Sequence, residues 1–291
     1  MRLISFEQAG RPALGVRLSA EVVPCASIDA RLPDTLEELL ARGPEALEVL
    51  RRGCTRSGAR LPLETLSYLP PLTRPRRIIC VGLNYAEHAA ESQIKEPPKY
   101  PALFSRFRES FVGHQVPLER PRISTQFDYE GELLAVIGRN GRHIPRERAL
   151  EHVAGYSIFN DASVRDYQFK STQWLVGKNF DRTGACGPEL VTADELPPGA
   201  SGLSLKTRVN GRTLQDSNTR EMIFDVATLV HLCSDVVALA PGDMLVTGTP
   251  AGVGFARKPP LFMRPGDVCE IEIEPIGTLR NPVIDEALGD H

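Results

Sequence analysis

Residues 127–137 read Phe-Asp-Tyr-Glu-Gly-Glu-Leu-Leu-Ala-Val-Ile, and this is the most informative segment of the chain. Apolar side chains recur at odd positions, which predicts a β-strand with one buried face. Asp128, Glu130 and Glu132 then share the opposite face, spaced roughly 7 Å apart. Carboxylates in such a row repel each other unless a cation or water satisfies them. A solvated edge face also explains the pattern, so the rest of the chain must decide between the two interpretations.

Length and composition exclude several classes of protein. The chain has 291 residues, enough for one large β-rich or α/β domain with a smaller appendage. Its formal net charge is −3, and lysine and arginine are spread along the chain. We therefore expect neither a nucleic acid nor a membrane as a partner. The sequence contains no apolar run long enough to span a bilayer.

Cysteine usage indicates a reducing compartment. The six cysteines include no Cys-x-x-Cys pair and form no disulfide framework. The first residues also lack the long apolar segment of a signal peptide. We therefore expect reduced, buried thiols in a cytoplasmic protein.

The pattern along the chain predicts two domains. Residues 1–70 are predicted as a small α+β domain, with short strands over 3–6, 13–18 and 22–28. A helical stretch over 34–51 follows, with Asp34 as its N-cap and an interruption at Gly43-Pro44. The proline-rich segment 69–77 is the predicted linker.

The second predicted domain, over 76–285, is β-rich. Short strand-like runs alternate with glycine and proline turns, and the clearest helix, over 220–234, carries one apolar stripe. This pattern indicates a mixed, β-rich α/β fold and not an alternating βαβ sheet.

One polar pair follows the predicted strand over 78–81. His88 and Glu91 are three residues apart, so in a helix they lie on the same side and the carboxylate can orient the imidazole. A surface ion pair explains the same spacing.

Three further segments carry unusual polar chemistry, one of them with both Asp161 and Arg165. Asp161 ends an apolar strand and is either a helix N-cap or a ligand presented at a strand end. Arg165, one helical turn after Asp161, can reach a carboxylate ligand or pair with Asp161 or Asp166. Lys178 lies in an apolar setting and either extends its ammonium group to the surface or points it into a site. The strand and glycine-rich loop over 245–254 offer free N–H groups and the Thr249 hydroxyl to an anion.

Together these segments make the chain similar to the fumarylacetoacetate hydrolase family, from about residue 76 to 283. The matching motifs are Val81-Gly82-Leu83-Asn84-Tyr85 with His88 and Glu91, Leu103-Phe104-Ser105-Arg106-Phe107, Asp128-Tyr129-Glu130-Gly131-Glu132-Leu133, Asn160-Asp161-Ala162-Ser163-Val164-Arg165-Asp166, Lys178-Asn179-Phe180-Asp181, Val209-Asn210-Gly211 and Thr247-Gly248-Thr249-Pro250-Ala251-Gly252-Val253-Gly254. Among members, the chain resembles bacterial acylpyruvate hydrolases and hydroxymuconate isomerases. The resemblance implies a β-roll catalytic domain, usually in a homodimer, behind a small N-terminal domain.

The resemblance also implies roles for individual residues. The expected metal ligands are Glu130, Glu132 and Asp161; the expected catalytic residues are His88, Glu91 and Lys178; the expected substrate contacts are Arg106, Arg165, Gln168, Gly248 and Thr249. His88 and Glu91 match a pair carried on a mobile lid, predicted here over 84–100. Arg106 stands where many members carry lysine, and its fork-shaped guanidinium makes a different contact from a point charge.

These residue types predict a reaction class. Carboxylate ligands without histidine or cysteine favour a hard cation, Mg²⁺ first, with Mn²⁺ or Ca²⁺ as substitutes. The cation and Lys178 would stabilise an enolate formed from a 2-oxo acid. With His88 drawing a proton from water, the sequence predicts hydrolysis of a C–C bond in a 1,3-diketo acid. An oxaloacetate-type decarboxylase, a hydroxymuconate-type isomerase and an inactive metal-binding module are the alternatives.

Overall fold

The computed structural model describes residues 1–91 and 98–287, and it confirms a mixed, β-rich α/β fold. The strands are β1 (Arg2–Gln8), β2 (Arg11–Leu18), β3 (Glu21–Pro24), β4 (Leu61–Pro62), β5 (Ser67–Tyr68), β6 (Ile78–Gly82), β7 (Ala102–Ser105), β8 (Phe111–Val112), β9 (Leu118–Arg120), β10 (Phe127–Asp128), β11 (Gly131–Ile137), β12 (Val153–Asn160), β13 (Ser163–Val164), β14 (Gly184–Thr192), β15 (Ser204–Val209), β16 (Arg212–Asn218), β17 (Met244–Val246), β18 (Val268–Ile273) and β19 (Gly277–Asp285). The helices are α1 (Cys25–Ile28), α2 (Leu36–Ala41), α3 (Pro44–Gly53), α4 (Ala86–Glu91), α5 (Arg165–Gln168), α6 (Leu175–Lys178) and α7 (Val226–Val236).

The largest sheet has 12 strands and carries β11 near its middle. Its main path runs β4-β3-β2-β1-β14-β12-β11-β17-β6-β7, with β5 beside β1 and β8 beside β14. A second sheet of five strands has the order β16-β15-β18-β19-β9, and β10 and β13 form a separate two-stranded pair.

Both faces of β11 are buried, so the solvated-face interpretation of residues 127–137 is wrong. Leu133, Ala135 and Ile137 pack into one apolar core, which includes side chains of the second sheet. Leu134 and Val136 pack into another core, which includes side chains of α2 and α3. The predicted single strand is also split into β10 and β11, and Glu130 lies at the break.

The N-terminal region departs from the sequence predictions at two places. The strand predicted over 22–28 ends at Pro24 and α1 follows, because proline has no N–H with which to continue a ladder. The N-cap predicted at Asp34 is instead Thr35, whose side-chain oxygen accepts a hydrogen bond from the N–H of Glu38.

The N-terminal strands extend the same sheet that carries β11. β1 pairs antiparallel with β14, with Leu3 opposite Leu190. Hydrogen bonds therefore run from the N-terminal region into the main sheet, and the division into 1–70 and 76–285 stays a prediction.

The helix predicted over 220–234 is α7, which begins later. The Asp225 side chain caps it by accepting from the N–H of Thr228 at 2.8 Å. Val226, Leu229 and Val230 of the predicted stripe are buried. Among the described residues, no helix has the length and apolar character needed to cross a bilayer.

Candidate active site

Three buried carboxylates meet where β11 begins and β12 ends. The antiparallel register sets Glu132 opposite Phe159, which brings Asp161, just past β12, beside Glu130 and Glu132. One oxygen from each carboxylate lies within 4.8 Å of the others. We call Glu130, Glu132 and Asp161 the carboxylate cluster.

Three cations surround the carboxylate cluster. The Nζ of Lys178 lies 2.7 Å from Oε2 of Glu130 and 2.6 Å from Oδ2 of Asp161. Arg165 Nη1 lies 2.6 Å from Glu130, and Arg106 Nη1 lies 2.7 Å from Asp161. The interpretation of Lys178 as a surface-reaching side chain is therefore wrong. Its ammonium group is buried and points into the cluster.

The environment pushes the pKa values of two clustered carboxyls apart. Burial opposes ionisation of Glu130, but Lys178 and Arg165 outweigh it and lower the pKa of that carboxyl to about 2. For Glu132, burial and the charges of Asp161 and Glu130 raise the pKa well above its usual range. Burial also disfavours the charged form of Lys178, but the carboxylates prevail and its pKa is raised.

The cluster is a divalent metal site. It offers only carboxylate oxygens, the donors that hard cations prefer. Glu132 holds its negative charge poorly without further positive charge nearby, as its raised pKa indicates. A divalent cation would supply that charge, so the residues present fit such an ion.

His88 and Glu91 lie on α4 and face each other. The imidazole Nδ1 is 2.7 Å from Oε1 of Glu91, and His88 is only 6% exposed. The surface ion-pair interpretation is therefore wrong. Both oxygens of the Glu91 carboxylate also accept from the N–H of Gly252, Oε1 at 3.2 Å and Oε2 at 3.0 Å. The predicted lid over 84–100 is described only in part, because 92–97, with Gln93, Ile94, Lys95, Glu96 and Pro97, lie outside the described residues.

One cavity of about 170 Å³ joins the cluster to His88. It has less volume than the roughly 300–1,000 Å³ of a drug-sized ligand's pocket, so a small ligand suits it. Its polar lining is His88, Glu130, Glu132, Asp161, Arg165, Gln168, Lys178 and Thr249. Its aromatic lining is Phe104, Phe169, Trp174 and Phe255.

Two predicted substrate contacts do not line this cavity. Arg106 lies behind Asp161, where its guanidinium also donates to Ser110 and Thr183. Gly248, at φ +97°, donates its N–H to Oε2 of Glu132. Both residues contact members of the carboxylate cluster, so in this structure they orient the cluster and do not line the cavity.

Asp128 separates from the two glutamates with which the sequence grouped it. It accepts from Nε of Arg165 at 2.8 Å and from the N–H groups of Gly254 and Phe255 at 2.7 and 2.9 Å. Arg165 also donates to Gln168 at 2.8 Å. Its Nη2 is buried without a hydrogen-bond partner among the described residues.

Sequence reasoning missed Gln215, which ties the metal strand to the glycine-rich loop. Its Oε1 accepts from Gly131 N–H at 3.0 Å, and its Nε2 donates to Thr249 and to the Pro250 carbonyl, each at 2.8 Å. The only signal was a polar residue at an inward position of β16, where it is 1% exposed. The aromatic lining was also missed, since nothing in the sequence sets Trp174 against Phe104.

Comparisons with known proteins cover nearly the whole chain. A family model described as the C-terminal region of fumarylacetoacetate hydrolase matches residues 77–284. A mitochondrial oxaloacetate tautomerase of Xenopus laevis is 39% identical over 290 residues, 98% of this chain and 90% of that protein.

Two solved structures are similar over nearly their full length. The fumarylacetoacetate hydrolase of Exiguobacterium antarcticum has a TM-score of 0.84 at 38% identity, covering 98% of this chain and 100% of that one. The maleylpyruvate hydrolase of Sphingobium sp. SYK-6, in complex with manganese(II) and pyruvate, has a TM-score of 0.82 at 27% identity, covering 99% and 100%.

Proposed function

We propose that this chain, which belongs to the fumarylacetoacetate hydrolase family, is a metal-dependent keto–enol tautomerase of a small 2-oxo acid. The observation that carries the proposal is one cavity lined by the carboxylate cluster, Lys178 and His88. The near-full-length similarity to an oxaloacetate tautomerase supports oxaloacetate as the substrate type. Enolate chemistry needs a positive charge near the 2-oxo group and a base near the adjacent carbon.

The bound cation would supply a Lewis acid that polarises the 2-oxo group. Lys178 adds a fixed positive charge, because the neighbouring carboxylates raise its pKa and keep it protonated. His88 hydrogen-bonds Glu91 through Nδ1, which leaves Nε2 free to take a proton from C3 of the oxo acid. The proton is then returned to the oxygen at C2, which completes the conversion of keto acid to enol. The reverse transfer restores the ketone.

Arg165 supports a dicarboxylic acid as the substrate. It lines the cavity, and its Nη2 has no hydrogen-bond partner among the described residues. A buried guanidinium N–H without a partner is costly, and a second carboxylate on the substrate would satisfy it. Gln168 and Thr249 line the same cavity and complete the proposed substrate contacts.

Hydrolysis of a C–C bond in an acylpyruvate is the second candidate. The aromatic lining favours this reaction. Phe104 and Trp174 pack edge to face, with their ring centroids 5.7 Å apart, and offer an apolar wall to an acyl group. In this reaction His88 would draw a proton from water, which attacks the distal carbonyl. Decarboxylation and dienol isomerisation share the enolate but need no activated water.

Three further expectations belong to this proposal. Mg²⁺ is the expected metal, and the manganese(II) bound by the similar maleylpyruvate hydrolase supports Mn²⁺ as a substitute. A homodimer and a cytoplasmic location stay predictions. The molar mass measured by light scattering tests the prediction of a homodimer.

The test compares two substrates on one enzyme preparation. Protein stripped of metal and reloaded with Mg²⁺ is mixed with enol oxaloacetate, whose near-ultraviolet absorbance falls as the ketone forms, and separately with acetylpyruvate. We expect the faster catalysis on oxaloacetate, with no loss of CO₂. Faster cleavage of acetylpyruvate would replace the tautomerase by the hydrolase, and evolution of CO₂ would replace it by the decarboxylase. Turnover of neither substrate would overturn the proposal.

A further inference from the structure

A short chain of hydrogen bonds joins the Glu91 carboxylate, the partner of His88, to the glycine-rich loop. The N–H of Gly252 donates to both carboxylate oxygens of Glu91, at 3.2 and 3.0 Å. Gly252 belongs to the glycine-rich loop, whereas Glu91 ends α4. Among the described residues, Gly252 is the one hydrogen-bond partner of the Glu91 carboxylate besides His88.

Only glycine fits at position 252. Its φ is +104°, a region that side chains disfavour, and an added Cβ would lie 2.2 Å from the carbonyl oxygen of Leu214. The backbone of the loop is therefore pressed against β16 at this point, and its N–H is held in a fixed place.

Two side chains hold the carbonyl of Gly252. The Tyr129 hydroxyl donates to it at 3.0 Å, and Nε of Arg257 donates to it at 3.2 Å. Arg257 Nε also lies 3.1 Å from the Tyr129 hydroxyl, and its Nη2 donates to the carbonyl of Leu214. One guanidinium thus joins the loop, β16 and the strand segment that precedes Glu130.

Arg257 forms no ion pair within the described part of the chain. Arg257 lies instead in a surface groove of about 520 Å³ together with Arg212, Lys258 and Arg264. It does not line the catalytic cavity. Its described hydrogen bonds go to backbone carbonyls and to Tyr129, so its contacts are those of a residue that fixes the backbone.

We propose that Arg257, with Tyr129, is a positioning residue that acts on the His88–Glu91 pair through Gly252. The two side chains fix the carbonyl on one side of the Gly252 Cα, and this restricts the backbone torsions that aim the N–H on the other side at Glu91. Glu91 then holds the imidazole in place for proton transfer. This inference deepens the proposed function and rests on it. It gives the glycine-rich loop a role in orienting the base, in addition to the substrate contact expected of Thr249.

The experiment is a double-mutant cycle with a charge-matched control. Arg257→Gln is compared with Lys258→Gln, which removes the same charge from the exposed neighbour in the groove. Arg257→Gln should lower kcat by roughly 10-fold, within the range of coupling between contacting residues, and leave KM and Mg²⁺ affinity unchanged. Lys258→Gln should leave all three unchanged, and Arg257→Lys, which keeps one donor, should restore part of kcat.

The Glu91→Gln background decides whether Arg257 acts through Glu91. There, Arg257→Gln should cause almost no further loss of kcat, because the carboxylate that the loop orients is already gone. An equal loss in both backgrounds would overturn the proposal. If Arg257→Gln does not fold, Tyr129→Phe takes its place in the cycle.

Amide exchange at Gly252 tests the proposal without activity. The amide should exchange faster in Arg257→Gln and in Glu91→Gln than in wild type or Lys258→Gln. Unchanged exchange in Arg257→Gln would overturn the proposal even if the enzyme catalyses another reaction. Turnover of neither proposed substrate by wild type overturns the proposed function instead, so the two failures are distinguishable.

Discussion

The two ends of the cavity are built differently. At the metal end, Glu130, Asp161 and Lys178 are almost completely buried, and each is paired with a buried opposite charge. At the lid end, the Glu91 carboxylate is held through His88 and through one backbone N–H. The comparison indicates that the permanent charges of the site are fixed by many contacts, whereas the position of the base depends on a few.

The largest effect should come from the metal end. Glu130→Ala leaves Lys178 and Arg165 buried with fewer opposite charges, which should cost about 3–5 kcal/mol of unfolding free energy. Activity should fall to background, and Mg²⁺ should no longer raise the melting temperature as it does in wild type. Calorimetry with and without Mg²⁺ measures both effects.

Glu147→Ala, at an exposed site, is the control for that variant and should keep the Mg²⁺-dependent rise. A Glu130→Ala protein that melts like wild type and still gains stability from Mg²⁺ would contradict the assignment of the cluster.

The next effect comes from the lid end and should be confined to catalysis. His88→Ala should lower kcat on the order of 10²–10⁴-fold, because it removes the general base. Mg²⁺ affinity should stay near that of wild type, since His88 hydrogen-bonds Glu91 and is not one of the three carboxylates of the cluster. Parallel kinetics and titration calorimetry separate this result from that of Glu130→Ala. Near-wild-type turnover of both substrates would remove His88 from the mechanism.

The third prediction concerns motion at the two ends. Oxalate, an analogue of an enolised 2-oxo acid, should slow amide exchange in α4 by up to about 100-fold when its concentration is about 100 times its Kd. Exchange in β11 should hardly change, because both of its faces are packed whether or not ligand is present. Equal protection of α4 with and without oxalate would contradict a mobile lid.

The smallest effect lies outside both ends. Burial, and then Arg280, lower the pKa of His114 to about 4 in the folded protein, against about 6.5 in the unfolded chain. Below pH 6.5 His114 becomes protonated in the unfolded chain but stays neutral in the folded protein. The free energy of unfolding therefore falls as the pH drops from 6.5 towards 4. Because His114 is partly exposed, solvent weakens the effect, and His114 should account for about 2 kcal/mol of that loss.

Urea unfolding of His114→Gln at pH 7 and pH 4.5 measures this contribution. The variant should lose less stability than wild type between the two pH values, with activity at pH 7 unchanged. His143→Gln, at an exposed histidine, should behave like wild type. An identical loss in all three proteins would contradict the assignment.

The sequence predicted the site better where its residues are close in the chain. The spacing of Glu130 and Glu132 predicted two members of the carboxylate cluster, and the spacing of His88 and Glu91 predicted their contact on α4. The same spacing argument wrongly grouped Asp128 with the glutamates. The strand breaks after Asp128, and the Asp128 carboxylate forms an ion pair with Arg165. Periodicity alone does not reveal where a strand is interrupted.

The β-rich fold, the family and the types of residue available to the site could be predicted from the residues alone, because these follow from local patterns and motifs. The pairing of charges within the site becomes visible in the folded chain. Asp161 and Lys178 come from different segments and approach to 2.6 Å through the packing of β12 and α6. Arg257 reaches Gly252 in the same way. Such contacts depend on how distant segments pack together, so local patterns in the sequence do not reveal which residues form each pair.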